Sequence, residues 1–225
     1  MDNYATYNYR FYDRIVCNKF KAILGGNVRI MATGSAPISV DVLNFLKVCF
    51  CCPILEGYGQ TESTAASCVT LPTDSKGGHV GGPIPCVKIR LRDIPDMGYT
   101  SRDVPHPRGE ICFQGPSIFQ GYFKNEEKNR EALVGGWLLS GDVGIILPNG
   151  SVRVIDRAKN IFKLAQGEYI SPEKLENVYV QCPYVSQIHV HGDSLQSYLV
   201  AIIVPDFDVL TPWYKTTHEG EGEPN

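Results

Sequence analysis

The hydrophobic positions of this chain come first in short runs and later in strict alternation. Val28 to Thr33 is an apolar run that predicts a buried strand, broken at Gly34-Ser35-Ala36-Pro37. A helical pattern follows, with Ser39 as N-cap, Asp41 in the first turn and Val42, Leu43, Leu46 and Phe50 as the apolar stripe. Pro53 ends it. Ile54-Leu55 then leads as a strand into Glu56-Gly57-Tyr58-Gly59-Gln60-Thr61-Glu62. Strand, small-residue turn, helix, strand and glycine turn, in that order, predict an α/β layout.

From Gly77 the texture changes, with denser Gly and Pro between short alternating segments. Val87, Ile89 and Leu91 alternate with Lys88 and Arg90, and Glu110 to Gln114 repeats the pattern. Asn125 to Leu133 predicts a charged, exposed helix. Val143 to Leu147 and Ser151 to Ile155 flank Pro148-Asn149-Gly150, a hairpin signal. This middle section predicts a small β-rich subdomain. Beyond Asp156-Arg157, Ser171-Pro172-Glu173 predicts a helix start, and Val185 to Val190 and Tyr198 to Val204 predict strands. Pro205 ends the pattern, and the polar residues that close the chain predict disorder. The chain has no internal repeats.

Composition narrows the function classes. With 225 residues, 43% of them hydrophobic, the chain can bury one large core or two small ones. A net charge of −3 and a pI near 6.0 argue against nucleic acid as partner. No apolar stretch approaches the roughly 20 residues of a spanning helix, and the first residues lack a secretory core, so no targeting or transmembrane segment is expected here. The eight cysteines sit mostly among apolar neighbours, as reduced thiols do. Cys49 and Cys52 have CxxC spacing. Without a second pair for zinc, they read as structural. His189 and His191 share a strand face without a nearby acid or cysteine partner, and they too read as structural.

The chemistry does not follow the common nucleotide fingerprints. No GxxxxGK[ST] loop occurs, and Glu62 stands where a GxGxxG motif needs its third glycine. Gly57-Tyr58-Gly59-Gln60-Thr61-Glu62 offers another scheme. Its glycines admit a ligand close to backbone, Tyr58 presents a flat face, Thr61 can donate to phosphate, and Glu62 can hold Mg²⁺. The same residues also suit a tight turn with a capping Thr. Gly34, Ser35, Ala36 and Pro37 would let a flat ring lie on main chain, or simply turn into a helix. Asp142 can accept two vicinal hydroxyls or cap a loop. Arg157 can reach ribose or phosphate, or pair with a surface acid. Lys159 and Lys163, four apart, can meet a phosphate or carboxylate, or line a solvated face. Gln166-Gly167-Glu168 is a turn that would let a substrate arm pass. Taken in order, these features make a complete set for holding an adenylate.

The same residues resemble the adenylate-forming superfamily, and within it the long-chain fatty-acid–CoA ligases. Gly57 to Glu62 is similar to that superfamily's YGxTE loop. Trp137 to Glu176 is similar to the fatty-acyl-CoA synthetase motif, through Gly136-Trp137-Leu138, Gly141-Asp142, Ile155-Asp156-Arg157 and the run from Phe162 to Glu176. The likeness extends from about Phe11 to Asp206. It implies the adenylate-forming enzyme fold. Residues 1–156 would be the later part of a large AMP-binding domain, β-rich from about 77. Residues 157–159 would be a hinge, and 160–225 the beginning of a small α+β domain with a disordered tail from about 215.

The resemblance also implies a reaction. A long-chain fatty acid and ATP give acyl-adenylate and pyrophosphate; CoA then gives acyl-CoA and AMP. By position, Gly34 to Pro37 and Tyr58 would sandwich adenine, with Gly57, Gly59 and Gln60 in the same loop. Thr61 would touch phosphate, Glu62 would hold Mg²⁺, and Asp142 and Arg157 would bind ribose. Lys159 would lie at the hinge, Lys163 would assist at phosphate or carboxylate, and the Gly167 turn would line the site during CoA attack. Ser140 stands where the family usually has Thr, and Ala158 where it has a basic residue. Family members are longer, with an upstream phosphate loop and a downstream lysine. The chain is therefore expected to be an internal piece, inactive in adenylation alone. The rival expectation is a short product that binds a nucleotide or partner without catalysis. A third keeps the superfamily with an aryl or amino acid as substrate, against the wording from Phe162 to Lys174. An intracellular setting is expected, with the whole protein on the endoplasmic reticulum, mitochondrial outer membrane or peroxisome.

Overall fold

The computed structural model describes residues 10–158, 160–165, 169–193 and 195–217. The chain divides into two compact units, one ending at Val154 and the other beginning at Ile155. Among the described residues, no helix is long and apolar enough to cross a membrane.

The first unit opens with a helical stretch of three parts. These are α1 (Arg10–Tyr12), a π-turn (Asp13–Cys17) and α2 (Asn18–Ile23). Next come β1 (Met31–Thr33), α3 (Val40–Phe50) and β2 (Ile54–Tyr58), with β1 and β2 paired in parallel across the intervening helix. The sequence expectation of a buried strand from Val28 is corrected here. Val28 and Ile30 precede the strand and are exposed. α3 buries Leu43, Lys47 and Cys49, while Val42 faces outward, because it lies one residue off that stripe. Ser39 precedes α3 without a side-chain cap. β3 (Cys68–Val69) and β4 (Gly82–Pro83) extend the sheet antiparallel, in the order β1-β2-β3-β4.

A second sheet follows the change in texture. It contains β5 (Lys88–Arg92), β6 (Arg108–Gln114), β7 (Leu133–Val134) and β8 (Trp137–Ile146), in the order β5-β6-β8-β7. α4 (Glu126–Ala132) precedes β7, and Asn125 Oδ1 caps it by accepting from the Lys128 amide. β9 (Val152–Arg157) pairs with β8 after the Pro148-Asn149-Gly150 turn, where Gly150 takes φ 81°. Period-2 alternation places Val87 and Leu91 inward, against Ile111, Phe113, Leu138, Val152 and Cys68. Phe113 and Ile111 are fully buried, so truncating Ile111 to Ala should cost about 2–5 kcal/mol.

The second unit carries β10 (Phe162–Lys163) against β11 (Tyr169–Ile170). It continues with α5 (Pro172–Tyr179), the antiparallel pair β12 (Val185–Gly192) and β13 (Leu199–Pro205), and α6 (Phe207–Thr217). Ser171 precedes α5 as expected, but its hydroxyl donates to Asp156 Oδ2 instead of capping the helix. His189 does have an acid partner: its Nδ1 lies 3.3 Å from Glu176 Oε1, brought there from α5. The expected tail from about 215 falls mostly on residues that are not described. Asp206 O accepts from the Val209 and Leu210 amides and starts α6, which runs through Lys215 to Thr217. Residues 218–225 lie outside the described residues.

Candidate active site

The loop that ends β2 is shaped by its own backbone. A methyl group on Gly59 would lie 2.2 Å from Ala65 O, so only glycine lets the chain fold back there. Gln60 and Ser63 hold a one-turn 3₁₀ helix (Thr61–Ser63), with the Gln60 amide donating to Ser63 Oγ at 3.1 Å. Ser63 is fully buried and Thr61 is exposed. The capping is thus done by Gln60 and Ser63, and Thr61 sits at the surface of the turn. Glu62 is half-buried, and its Oε1 accepts from the Tyr122 hydroxyl at 2.7 Å. That bond, with burial and the Glu62 charge, pushes the Tyr122 phenol up to about 12.

The turn after β1 comes against the same strand. Gly34 packs so closely on β2 that an added methyl would lie 2.9 Å from Gly57 O. Ser35 takes φ 69°, in the left-handed region, and Ser35, Ala36 and Pro37 are exposed. A methyl on Gly57 would make only ordinary contacts, the nearest 3.8 Å away. Gly34 and Gly57 thus bring two stretches of bare main chain together as a shelf.

Asp142 does not cap a loop. It stands within β8, where residues 140–142 bulge opposite Ile111, because Glu110 pairs with Val143 and Cys112 with Leu139. Gly141 takes φ 73°, and the Asp142 amide donates to Ser140 Oγ at 3.0 Å. The bulge turns the buried Asp142 toward β2, where Tyr58 OH donates to its Oδ2 at 2.6 Å. Burial raises the Tyr58 pKa far above its ordinary value of 10, and the Asp142 charge adds to that, so the phenol stays a donor. Its ring meets Phe113 at 5.8 Å between centroids.

Sequence reasoning missed the groups behind this pair. Glu110 is buried; its Oε1 accepts from the Gly141 amide at 3.0 Å and its Oε2 pairs with Arg92 at 2.5 Å. Its one sequence signal is an acid within β6, on the face that pairs with Arg92 and away from the Ile111 and Phe113 side. Nothing in the sequence pairs Tyr122 with Glu62, since 60 positions separate them.

The structure thus brings Gly34 to Gly57, and Tyr58 to Asp142. Arg157, Lys159, Lys163 and Gly167 belong to the second unit. Arg157 ends β9, its amide donating to Asp156 Oδ1 at 2.6 Å, and its side chain is exposed. Lys163 pairs its backbone with Tyr169 and is described in its backbone alone. Lys159 and Gly167 lie outside the described residues.

A family model described as AMP-binding enzyme matches residues 5–123. The peroxisomal long chain acyl-CoA synthetase 7 of Arabidopsis thaliana is 54% identical over 204 residues, 90% of this chain and 29% of the relative. Long-chain-fatty-acid–CoA ligase 1 of Homo sapiens is 50% identical over 218 residues, 96% of this chain and 31% of the relative. The chain therefore spans roughly 30% of the length of these curated relatives. Among solved structures, it resembles the A domain of a carboxylic acid reductase from Segniliparus rugosus, solved with AMP and a co-purified carboxylic acid. The TM-score is 0.77 at 32% identity, over 96% of this chain and 32% of that one.

Proposed function

This chain belongs to the AMP-binding enzyme family, and from that premise we propose that it serves the ATP-dependent activation of a long-chain fatty acid. In the first step the fatty carboxylate attacks the α-phosphorus of ATP and pyrophosphate leaves. In the second, the CoA sulfur attacks the acyl carbonyl. Acyl-CoA forms, AMP leaves, and the thiol proton passes to solvent.

The observation that carries the reading is the Tyr58–Asp142 hydrogen bond of 2.6 Å beside the Gly34–Gly57 shelf. Adenine rests on the shelf. The Asp142 carboxylate, fixed by Tyr58 and by the bulge, accepts from the ribose hydroxyls. A preoriented acceptor costs the ligand less ordering than a mobile one. Thr61 donates to a phosphate oxygen from the exposed turn. Glu62 fits Mg²⁺, because it is a half-buried oxygen donor with one oxygen steadied by Tyr122. When bound, the ion would offset negative charge on the phosphates. Arg157 serves the ribose, and Lys163 the phosphate or carboxylate. Lys159 serves as hinge, and Gly167 lines the path of CoA. Fatty acid and CoA as substrates rest on the roughly 50% identity to long-chain acyl-CoA ligases. The peroxisomal naming of a plant relative supports an intracellular setting.

The test is thermal unfolding of the chain with a nonhydrolysable acyl-adenylate mimic and Mg²⁺. The melt should rise with ligand, and Asp142→Ala should abolish the rise while the protein still melts cooperatively. A wild-type melt unmoved by the mimic would refute an adenylate site on this chain.

A further inference from the structure

On the first unit, apart from the candidate active site, three metal-ligating side chains converge. Asp13 and Cys17 come from the π-turn, and Cys51 from the C-cap of α3. Cys51 Sγ lies 3.1 Å from Asp13 Oδ1, and the three donor atoms all lie within 4.8 Å of one another. We propose that Asp13, Cys17 and Cys51 hold one divalent cation of the zinc class, with water as fourth ligand.

Distance supports it first. Zinc bonds of about 2.0–2.3 Å in a tetrahedron set donor atoms about 3.3–3.8 Å apart. The observed trio reaches that spacing by shifts on the order of 1 Å, within side-chain adjustment. Donor type agrees as well. Two sulfurs with one carboxylate suit zinc, whereas magnesium and calcium take oxygen sets.

Electrostatics favour the same spot. Both thiols point at the Val48 carbonyl, Cys51 Sγ at 3.4 Å and Cys17 Sγ at 3.6 Å. That carbonyl belongs to the last turn of an 11-residue helix, whose C-terminal end is its negative end and attracts cations. Two thiolates and a carboxylate around Zn²⁺ leave one negative charge. The two thiol protons go to solvent on binding.

Backbone and burial complete the picture. Cys51 adopts φ 47° and ψ 42°, a left-handed C-cap that usually belongs to glycine or asparagine. The π-turn sets Asp13 and Cys17 on the side facing it, and such turns recur at functional sites. Cys17 is buried while Asp13 and Cys51 are half-buried, so one side stays open for the ion and its water. The CxxC pair plays no part: Cys49 and Cys52 are both buried, and the converging thiols come from two helices instead. A bound ion would clamp the opening helical stretch onto the end of α3.

The test is titration of the reduced full chain with Co²⁺ and then Zn²⁺. One Co²⁺ per chain should bind with a sulfur-to-cobalt charge-transfer band and tetrahedral visible bands, and one equivalent of Zn²⁺ should erase both. Cys17→Ser and Cys51→Ser should each weaken binding beyond the roughly 10–100-fold that loss of an outer-shell partner causes. Cys182→Ser, an exposed thiol of the second unit, should leave it unchanged. Mass-spectrometric alkylation of the wild-type chain needs no variant. Zn²⁺ should protect Cys17 and Cys51 and leave Cys182 reactive. Absence of the charge-transfer band, equal alkylation with and without zinc, or a Cys17–Cys51 disulfide formed despite excess zinc would each overturn the proposal.

Discussion

The Tyr58 hydroxyl donates to Asp142 Oδ2 at 2.6 Å, tying the end of β2 to the bulge of β8. One hydrogen bond thus joins two sheets at the place where the ligand would sit. On the proposed reading it makes Asp142 an oriented acceptor, and Tyr58 a positioning residue as well as a wall.

Removing only the hydroxyl separates those roles. Tyr58→Phe keeps the ring on Phe113 and should lower stability by about 1.5–3 kcal/mol, the range for a hydrogen bond to a charged group. Urea unfolding would measure it. The ligand-induced rise in melting temperature should shrink without disappearing. An unchanged rise would mean that Tyr58 does not orient Asp142.

The glycines should divide by neighbour. Gly59→Ala drives a methyl to 2.2 Å from Ala65 O and should destabilise the chain by about 2 kcal/mol or more. Gly57→Ala meets nothing nearer than 3.8 Å and should change stability by no more than about 0.5 kcal/mol. It should nonetheless reduce binding of the adenylate mimic at least tenfold by calorimetry, because the methyl occupies the shelf. Equal binding would show that the ring does not rest there.

Glu110 holds the bulge from behind. Glu110→Ala leaves the Gly141 amide without its acceptor and should cost about 1–3 kcal/mol. Glu110→Gln keeps an acceptor for that amide and loses the Arg92 pair. It should retain most of the nucleotide affinity, whereas the Ala variant should lose it with Asp142 misplaced. Equal affinity for the two would deny Glu110 a positioning role.

His79 gives the first unit a pH response. Burial is the largest cause that lowers its pKa from 6.5, with Arg153 and Lys47 acting the same way and Asp74 opposing. A lowered histidine pKa means that the unfolded chain binds the proton first. Stability is therefore complete above 6.5 and falls as pH drops toward the folded pKa. Its Nδ1 accepts from the Gly81 amide at 3.0 Å, a bond that His79→Asn can imitate. That variant should show a smaller fall in the urea midpoint between pH 7 and pH 5.5. An identical fall would place the response elsewhere.

Much of the fold was legible because its elements carry local signals. Alternation marked β5 and β6, the Pro148-Asn149-Gly150 turn marked the hairpin, and Asn125 marked the start of α4. Errors arose where local signals compete with packing. Apolar Val28 and Ile30 read as strand, yet among the described residues no partner strand reaches them. A loop-capping role for Asp142 stayed open in the sequence, yet residues 140–142 continue β8, since a bulge uses the same small residues as a turn.

By itself the sequence determined the layered α/β order, the positions of the turns, and the residue types that could hold an adenylate, because these depend on neighbours along the chain. Only the tertiary structure decided that Tyr58 meets Asp142, that Glu110 steadies Gly141, that Tyr122 steadies Glu62, and that Cys17 meets Cys51 rather than Cys49 pairing with Cys52. Strand register and helix packing place those partners, and neither is written in the spacing of the residues they join.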